Sequence, residues 1–250
     1  MYFVHMENTT NRKVIANKGN YTVYEYDYDL SVSPGDAIQQ YYASKMNIRK
    51  RQIICQLDGK TDIIIQAGAM QWMAGNVSAT TNVKGIGDFA KKMLGSKATG
   101  ESAIKPKYTG NGVLALEPTY KHILIEDVGA WNGMVIDDGL FLACDASVDL
   151  KTVSRKSFSA AVAGGEGLFN SCLMGTGFAV LESKVPREEL VEVVLENDVL
   201  KIDGNFAIAW SKSLDFTVER STKTLIGSAA SGEGLVNVYR GTGKVLMAPL

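Results

Sequence analysis

Gly165-Glu166-Gly167-Leu168 runs through Asn170 to Gly175-Thr176-Gly177, and Gly232-Glu233-Gly234-Leu235 runs through Asn237 to Gly241-Thr242-Gly243. A less regular copy reads Gly100-Glu101 and then Gly110-Asn111-Gly112. The leading glycines, Gly100, Gly165 and Gly232, are almost evenly spaced. Their period of about 66 residues is the signature of a fold assembled from similar units, so the glycines are read first as architecture and only then as a site.

A second set of positions keeps the period. Asp138-Gly139 recurs as Asp203-Gly204, and Ser147-Val148-Asp149 recurs as Ser213-Leu214-Asp215. Ala67-Gly68 takes the Asp-Gly place in the first unit. Each unit closes on an apolar run and a proline: Leu116-Glu117-Pro118, Leu181-Glu182 before Pro186, and Met247-Ala248-Pro249. Proline has no ladder N–H and fits the end of a strand. Short apolar runs separated by glycine turns, such as Ile53–Leu57, Ile63–Ile65 and Ile123–Ile125, read as strands. The predicted fold is all-β: three tandem β-sandwich-like repeats over 51–118, 119–186 and 187–250. Units this small are expected to share a core or to pack edge to edge.

Residues 1–50 fall outside the period and read as a strand and a helix. Tyr24-Glu25-Tyr26-Asp27-Tyr28 alternates like a half-exposed strand. Ser33-Pro34 is read as N-cap and first helical residue, with Ile38, Tyr41, Tyr42 and Met46 at helical spacing. The basic run Arg49-Lys50-Arg51 is read as a solvated helix end, with anion binding as the alternative. In 83–97, Ile86, Phe89, Ala90, Met93 and Leu94 predict a short amphipathic helix that packs on its own unit, with partner or membrane docking as the alternative.

Composition narrows the chemistry. The chain has 250 residues, 46% hydrophobic and 21% charged, with a net charge of −1, so it can bury a core and carries no basic excess for nucleic acid. Cys55, Cys144 and Cys172 form no C-x-x-C pair and read as reduced, buried thiols of a cytoplasmic protein. The start lacks a basic segment followed by an apolar core, and no run of eighteen apolar residues occurs, so neither a leader nor stable membrane insertion is expected. His5 and His122 are the only histidines and sit in no metal-ligand pattern, so no metal, no cofactor and no His-based catalytic set are expected. Gly241-Thr242-Gly243-Lys244 lacks the first glycine and the Ser or Thr of a phosphate loop.

What remains as a candidate ligand site is the set of repeat carboxylates, Glu101, Glu166 and Glu233. They could face a common axis and hold a cation or polar ligand, or each could cap backbone N–H groups of its own glycine turn. Asn170 and Asn237 share the second logic, since asparagine tolerates left-handed backbone and bonds locally. Trp72, Trp131 and Trp210, one per unit, read as core or interface anchors.

Gly68-Ala69-Met70, the helix before Gly100-Glu101, Tyr108-Thr109-Gly110-Asn111-Gly112, Leu116-Glu117-Pro118, Gly164-Gly165-Glu166-Gly167-Leu168-Phe169 and Gly232-Glu233-Gly234-Leu235 together resemble the altered-inheritance-of-mitochondria family, from about residue 51 to the C-terminus. The resemblance implies a fold similar to the tryptophan RNA-binding attenuation protein and little about activity. The eukaryotic namesake is linked to mitochondrial organisation. RNA binding does not transfer with a fold.

The function expected from these readings is that of a non-enzymatic scaffold or binding protein. The alternatives are an enzyme whose site forms between units from carboxylates, Lys and Tyr, and, more weakly, RNA binding by fold analogy. A homo-oligomer through the β units is expected, because exposed strand edges are covered or paired, and the three-unit geometry suggests a trimer.

Overall fold

The computed structural model describes residues 1–81, 105–154, 169–220 and 235–249. The segment 83–97 and all three repeat carboxylates, Glu101, Glu166 and Glu233, lie outside the described residues.

The chain is mostly antiparallel β, with one α-helix among the described residues. The N-terminal hairpin is β1 (Arg12–Lys18) and β2 (Tyr21–Tyr26), followed by α1 (Ala37–Lys45). Next come β3 (Arg51–Asp58), β4 (Ile63–Ile65), β5 (Met70–Thr80) and β6 (Lys107–Leu116). The middle of the chain holds β7 (His122–Asp127), β8 (Met134–Ile136), β9 (Phe141–Asp145), β10 (Val148–Ser154), β11 (Phe169–Gly175) and β12 (Phe178–Ser183). The last strands are β13 (Val191–Asp203), β14 (Ala207–Ser211), β15 (Asp215–Arg220) and β16 (Leu235–Met247).

These strands form two sheets. The first runs β1-β2-β3-β6-β4-β9-β12-β7, with β5 on the other side of β6. It curls into a nearly closed barrel, and Lys18 Nζ on β1 donates across the gap to the Ile125 carbonyl on β7 at 3.2 Å. The second runs β10-β11-β8-β14-β16-β13, with β15 also on β16. Pairing crosses the unit boundaries expected from the sequence: β4 joins β9, and β8 joins β14. The architecture is therefore a barrel-like sheet and an open sheet.

Three apolar clusters hold this arrangement. Tyr21, Ile53, Leu57, Ile63, Leu114 and Leu116 fill the barrel. Trp131, Met134 and Leu246 from one side and Leu181 and Phe141 from the other join the two sheets. Trp210, Phe216 and Tyr239 form an aromatic group on the second sheet, with Trp210 and Tyr239 ring centres 5.5 Å apart. Each such fully buried side chain contributes about 1.5–3 kcal/mol of transfer free energy.

The glycine pairs have a common physical reason. A Cβ on Gly112 would collide with the Ala74 carbonyl, one on Gly177 would lie 2.9 Å from Asp145 Oδ2, and one on Gly243 2.7 Å from Ser211 Cβ. At these positions only a hydrogen fits against the neighbouring segment of the chain. The residue between the glycines is tied down as well: Ser147 Oγ donates to the Thr176 carbonyl at 2.7 Å, and Ser213 Oγ donates to the Thr242 carbonyl at 2.8 Å.

Several local readings need correction. The N-cap of α1 is Asp36, and Ser33 instead opens the preceding turn, accepting the Asp36 N–H at 3.3 Å. Only Ser44 of the helix is buried; Ile38, Tyr42 and Met46 are exposed, because the helix is tied to the hairpin through Ser44 Oγ and the Asp27 carbonyl. On β2 the buried face is Tyr21, Val23 and Glu25, so the alternation points the carboxylate inward. Asn170 and Asn237 are not left-handed turn residues. They stand in strands and donate to the distant carbonyls of Ile136 (3.0 Å) and Gly204 (2.8 Å); the left-handed asparagines are Asn47, Asn132 and Asn197.

Candidate functional site: the barrel seam

The gap between β1 and β7 is a cleft of about 470 Å³. Its walls are two strand edges, each paired on one side only: β1 with β2, and β7 with β12. Ile15 and Ile123 supply apolar wall, and the floor is Arg51 on β3 beside Glu25 on β2. The chain folds this way because the eight-residue β3 alternates Ile53, Cys55 and Leu57 inward, which leaves Arg51 at its start under the hairpin.

Arg51 is 2% exposed and fully occupied. Its Nε donates to Glu25 Oε2 at 3.0 Å, and its Nη2 donates to Asn47 Oδ1 at 2.8 Å. Glu25 also receives Arg49 Nη1 at 3.0 Å, and Asp27 receives Arg49 at 2.9 Å and Lys13 at 3.1 Å. Lys50 is bound to Asp29 at 2.6 Å. The basic run 49–51 is thus neither a solvated helix end nor an anion site. It is spent on carboxylates that the Tyr-Glu-Tyr-Asp segment carries. A buried charge stays charged only when paired in this way. Three alternating carboxylates, Glu25, Asp27 and Asp29, and three consecutive cations, Arg49 to Arg51, hint at the pairing, but the sequence does not say that β2 and β3 are neighbours.

His122 opens β7 and lines the cleft. Burial, and then the Arg51 cation, push its pKa below the usual imidazole value, so it is neutral at pH 7. Lys13, Lys18, Arg51 and Arg187 face Glu25, Glu126 and Glu188, so the lining is close to charge balance. It contains no Ser or Cys nucleophile. Glu25 and Arg51 hold each other and have no free proton-transfer geometry. What the cleft offers is two strand edges, apolar side walls and mixed charge.

Other polar groups in the core are structural. Asp145 accepts from Tyr21 Oη at 2.9 Å and from the Phe178 N–H at 2.8 Å. Burial, with the Asp145 charge behind it, raises the Tyr21 phenol and lifts the Cys144 thiol to about 12. Cys55, Cys144 and Cys172 are all buried and form no disulfide. Trp131 and Trp210 are core residues, whereas Trp72 is half-buried on β5. His5 is exposed, 3.2 Å from Glu7. Among the described residues no group of three His, Cys, Asp or Glu side chains is placed to hold a metal, and no helix is long and apolar enough to cross a membrane, which says nothing of strands. Glu101, Glu166 and Glu233 cannot be set against this geometry, since they lie outside the described residues.

A mostly antiparallel β chain with one nearly closed, barrel-like sheet defines the class as all-β. The family model for mitochondrial biogenesis AIM24 matches residues 42–250, and the chain belongs to that family. The match starts somewhat ahead of the position the motifs suggested, taking in part of α1. The chain is similar to an uncharacterized protein of Streptococcus pyogenes serotype M6, 30% identical over 196 residues, 75% of this chain and 77% of that protein. It is also similar to the crystal structure of a Streptococcus pyogenes protein, 27% identical, with a TM-score of 0.58 over 82% of this chain and 90% of that one.

Proposed function

We propose that the chain is a non-enzymatic scaffold and binding protein, and that its seam takes an extended polypeptide segment as an added strand between β1 and β7. The observation that carries this reading is the pair of one-sided strand edges facing each other across a cleft of about 470 Å³, bridged by the Lys18 side chain. Strand addition draws its affinity from main-chain hydrogen bonds; on β1 these come from the residues after Val14, because the Val14 N–H already donates to Asn8 Oδ1 at 2.9 Å and the Arg12 carbonyl accepts the Thr9 N–H at 2.7 Å. The scaffold is three tandem units over 51–118, 119–186 and 187–250 behind an N-terminal extension. The matched bonds of Ser147 to Thr176 and Ser213 to Thr242, one period apart, support that division. Buried thiols support a reducing cytoplasm as the working compartment. Four cations against three carboxylates do not favour RNA in the cleft.

The test is amide hydrogen exchange with eight-residue peptides that alternate valine with glutamate or with lysine. Binding should protect residues 12–18 and 122–127 together. Protection at neither strand, with no peptide bound at millimolar concentration, would remove the proposal.

A further inference from the structure

The two sheets contain the same joint twice. At the first, β4 pairs antiparallel with β9: Ile63 with Asp145, Ile64 with Cys144 and Ile65 with Ala143. At the second, β8 pairs with β14: Met134 with Ser211, Val135 with Trp210 and Ile136 with Ala209. The receiving triplets, 143–145 and 209–211, are one sequence period apart. In both cases a short strand reaches sideways to the strand that opens the next long hairpin.

A third donor and a third receiver exist, and the joint between them is open. Ile202 on β13 stands across from Asn237, four residues before Gly241, as Ile136 stands across from Ser171, four residues before Gly175. Leu200–Ile202 therefore corresponds to Met134–Ile136. On the receiving side, Met73 pairs with Leu114, Cys144 with Ala179 and Trp210 with Val245, so Trp72–Ala74 of β5 corresponds to the two receiving triplets. Among the described residues β13 pairs only with β16, and β5 only with β6.

We infer that Leu200–Ile202 of one copy pairs antiparallel with Trp72–Ala74 of a second copy, with Lys201 across from Met73. The inference rests on the scaffold reading and names the partner as this same chain. Three observations support it. β5 is an eleven-residue edge with no charged residue and no proline, and natural edges lacking such protection are covered. Tyr2 lies against Gly75 but adds no strand. Met70 and Met73 on β5 and Val199 on β13 are exposed. Beside β13 runs a groove of about 340 Å³ lined by Leu200, Ile202, Phe206 and Met247, where the half-buried Trp72 or Met70 of the partner finds apolar wall. Donor and receiver are different edges, so the contact is head to tail and makes a ring or an open series, according to the rotation per copy.

Met73→Cys and Lys201→Cys are both at exposed strand positions and leave the core untouched. The three native cysteines are buried, so a short bismaleimide reads the new thiols. The two variants, purified separately and mixed, should give a crosslinked dimer at twice 27.0 kDa, while neither variant alone does. A double variant crosslinked only within its own chain would overturn the inference by showing that the third joint closes on itself. Absence of any crosslink, or crosslinking of one variant with itself, would also overturn it. As a second measurement, Met73→Lys should reduce the light-scattering mass to that of one chain with an unchanged melting temperature; an unchanged mass sinks the joint. A chain that assembles without this crosslink refutes the joint and spares the scaffold. Failure of seam protection by peptides refutes the scaffold's binding role by an independent route.

Discussion

The sheet holding β1 and the sheet holding β13 are both antiparallel, yet the first curls almost shut and the second ends on an edge that is open among the described residues. The difference is residues 1–50. The β1–β2 hairpin pairs with β3 through Tyr21–Glu25, brings Glu25 onto Arg51 and carries the wall around toward β7. The second sheet has no such addition, and β13 is left one-sided among the described residues. Closure is therefore a property of the non-repeating extension, and the ion pair that comes with it is buried, whereas the comparable pair on the second sheet, Arg240 with Glu219 at 2.8 Å, is more than a third exposed.

The widest expected gap between the two regions follows from that contrast. Arg51→Met leaves the buried Glu25 with Arg49 as its remaining close cation and should cost about 1.5–3 kcal/mol in urea unfolding, while Arg240→Met, on a pair more than a third exposed, should cost clearly less. Equal losses would show that the barrel-side pair is no better shielded than the surface pair. Next in size are the paired glycines. Gly112→Ala drives a Cβ onto the fixed Ala74 carbonyl and should cost about 1–3 kcal/mol, and Gly243→Ala should cost less, because its nearest contact, Ser211 Cβ at 2.7 Å, is less tight than the one at Gly112. The reverse order in thermal melts would break the steric account.

The two asparagines sharpen the comparison further. Asn170 is buried at 2% exposure, so Asn170→Ala leaves buried polar groups unpaired, at about 1–3 kcal/mol. Asn237 is half-buried and its bond to the Gly204 carbonyl is open to solvent, so Asn237→Ala should lose about 1 kcal/mol or less, since water replaces the amide. Matching melting temperatures for the two variants would contradict this.

The smallest effect is pH-dependent and belongs to the seam. The folded pKa of His122 lies below its unfolded value of 6.5, so the unfolded chain binds the proton first. The stability this contributes is complete above that value and is lost as pH falls through 6.5 toward the folded pKa. Between about pH 7 and pH 5 the wild type should lose melting temperature more steeply than His122→Gln. The depressed carboxylates Glu7, Asp29, Asp58 and Glu219 all have reference values of 4.5 or below and act at lower pH. Parallel curves for the two proteins in that window would remove His122 from the account.

Much of the fold was legible in the chain. Ile53–Leu57, Ile63–Ile65 and Ile123–Ile125 are strand residues, and the glycine pairs lie where a neighbour leaves no room for a Cβ. Asp58-Gly59 turns as expected, with Gly59 at φ +77° and the Asp58 carboxylate accepting the Lys60 and Thr61 N–H groups. The seam was not legible. His122 read only as a histidine outside any metal-ligand pattern and Arg51 as part of a solvated helix end, because a cleft between β1 and β7 joins segments far apart along the chain.

Residue by residue, the sequence determined the period, the all-β character and the ends of strands, since glycine, proline and alternating apolar side chains act through local sterics that need no partner. Family membership came with the same motifs. Tertiary structure decided which edges pair, that Glu25 points inward, that the apolar stripe of α1 stays in solvent, and that Asn170 and Asn237 reach across to carbonyls on distant segments. Those outcomes depend on register and on charges brought from another strand, and a sheet's pairing is set by the whole barrel's closure and not by any segment within it.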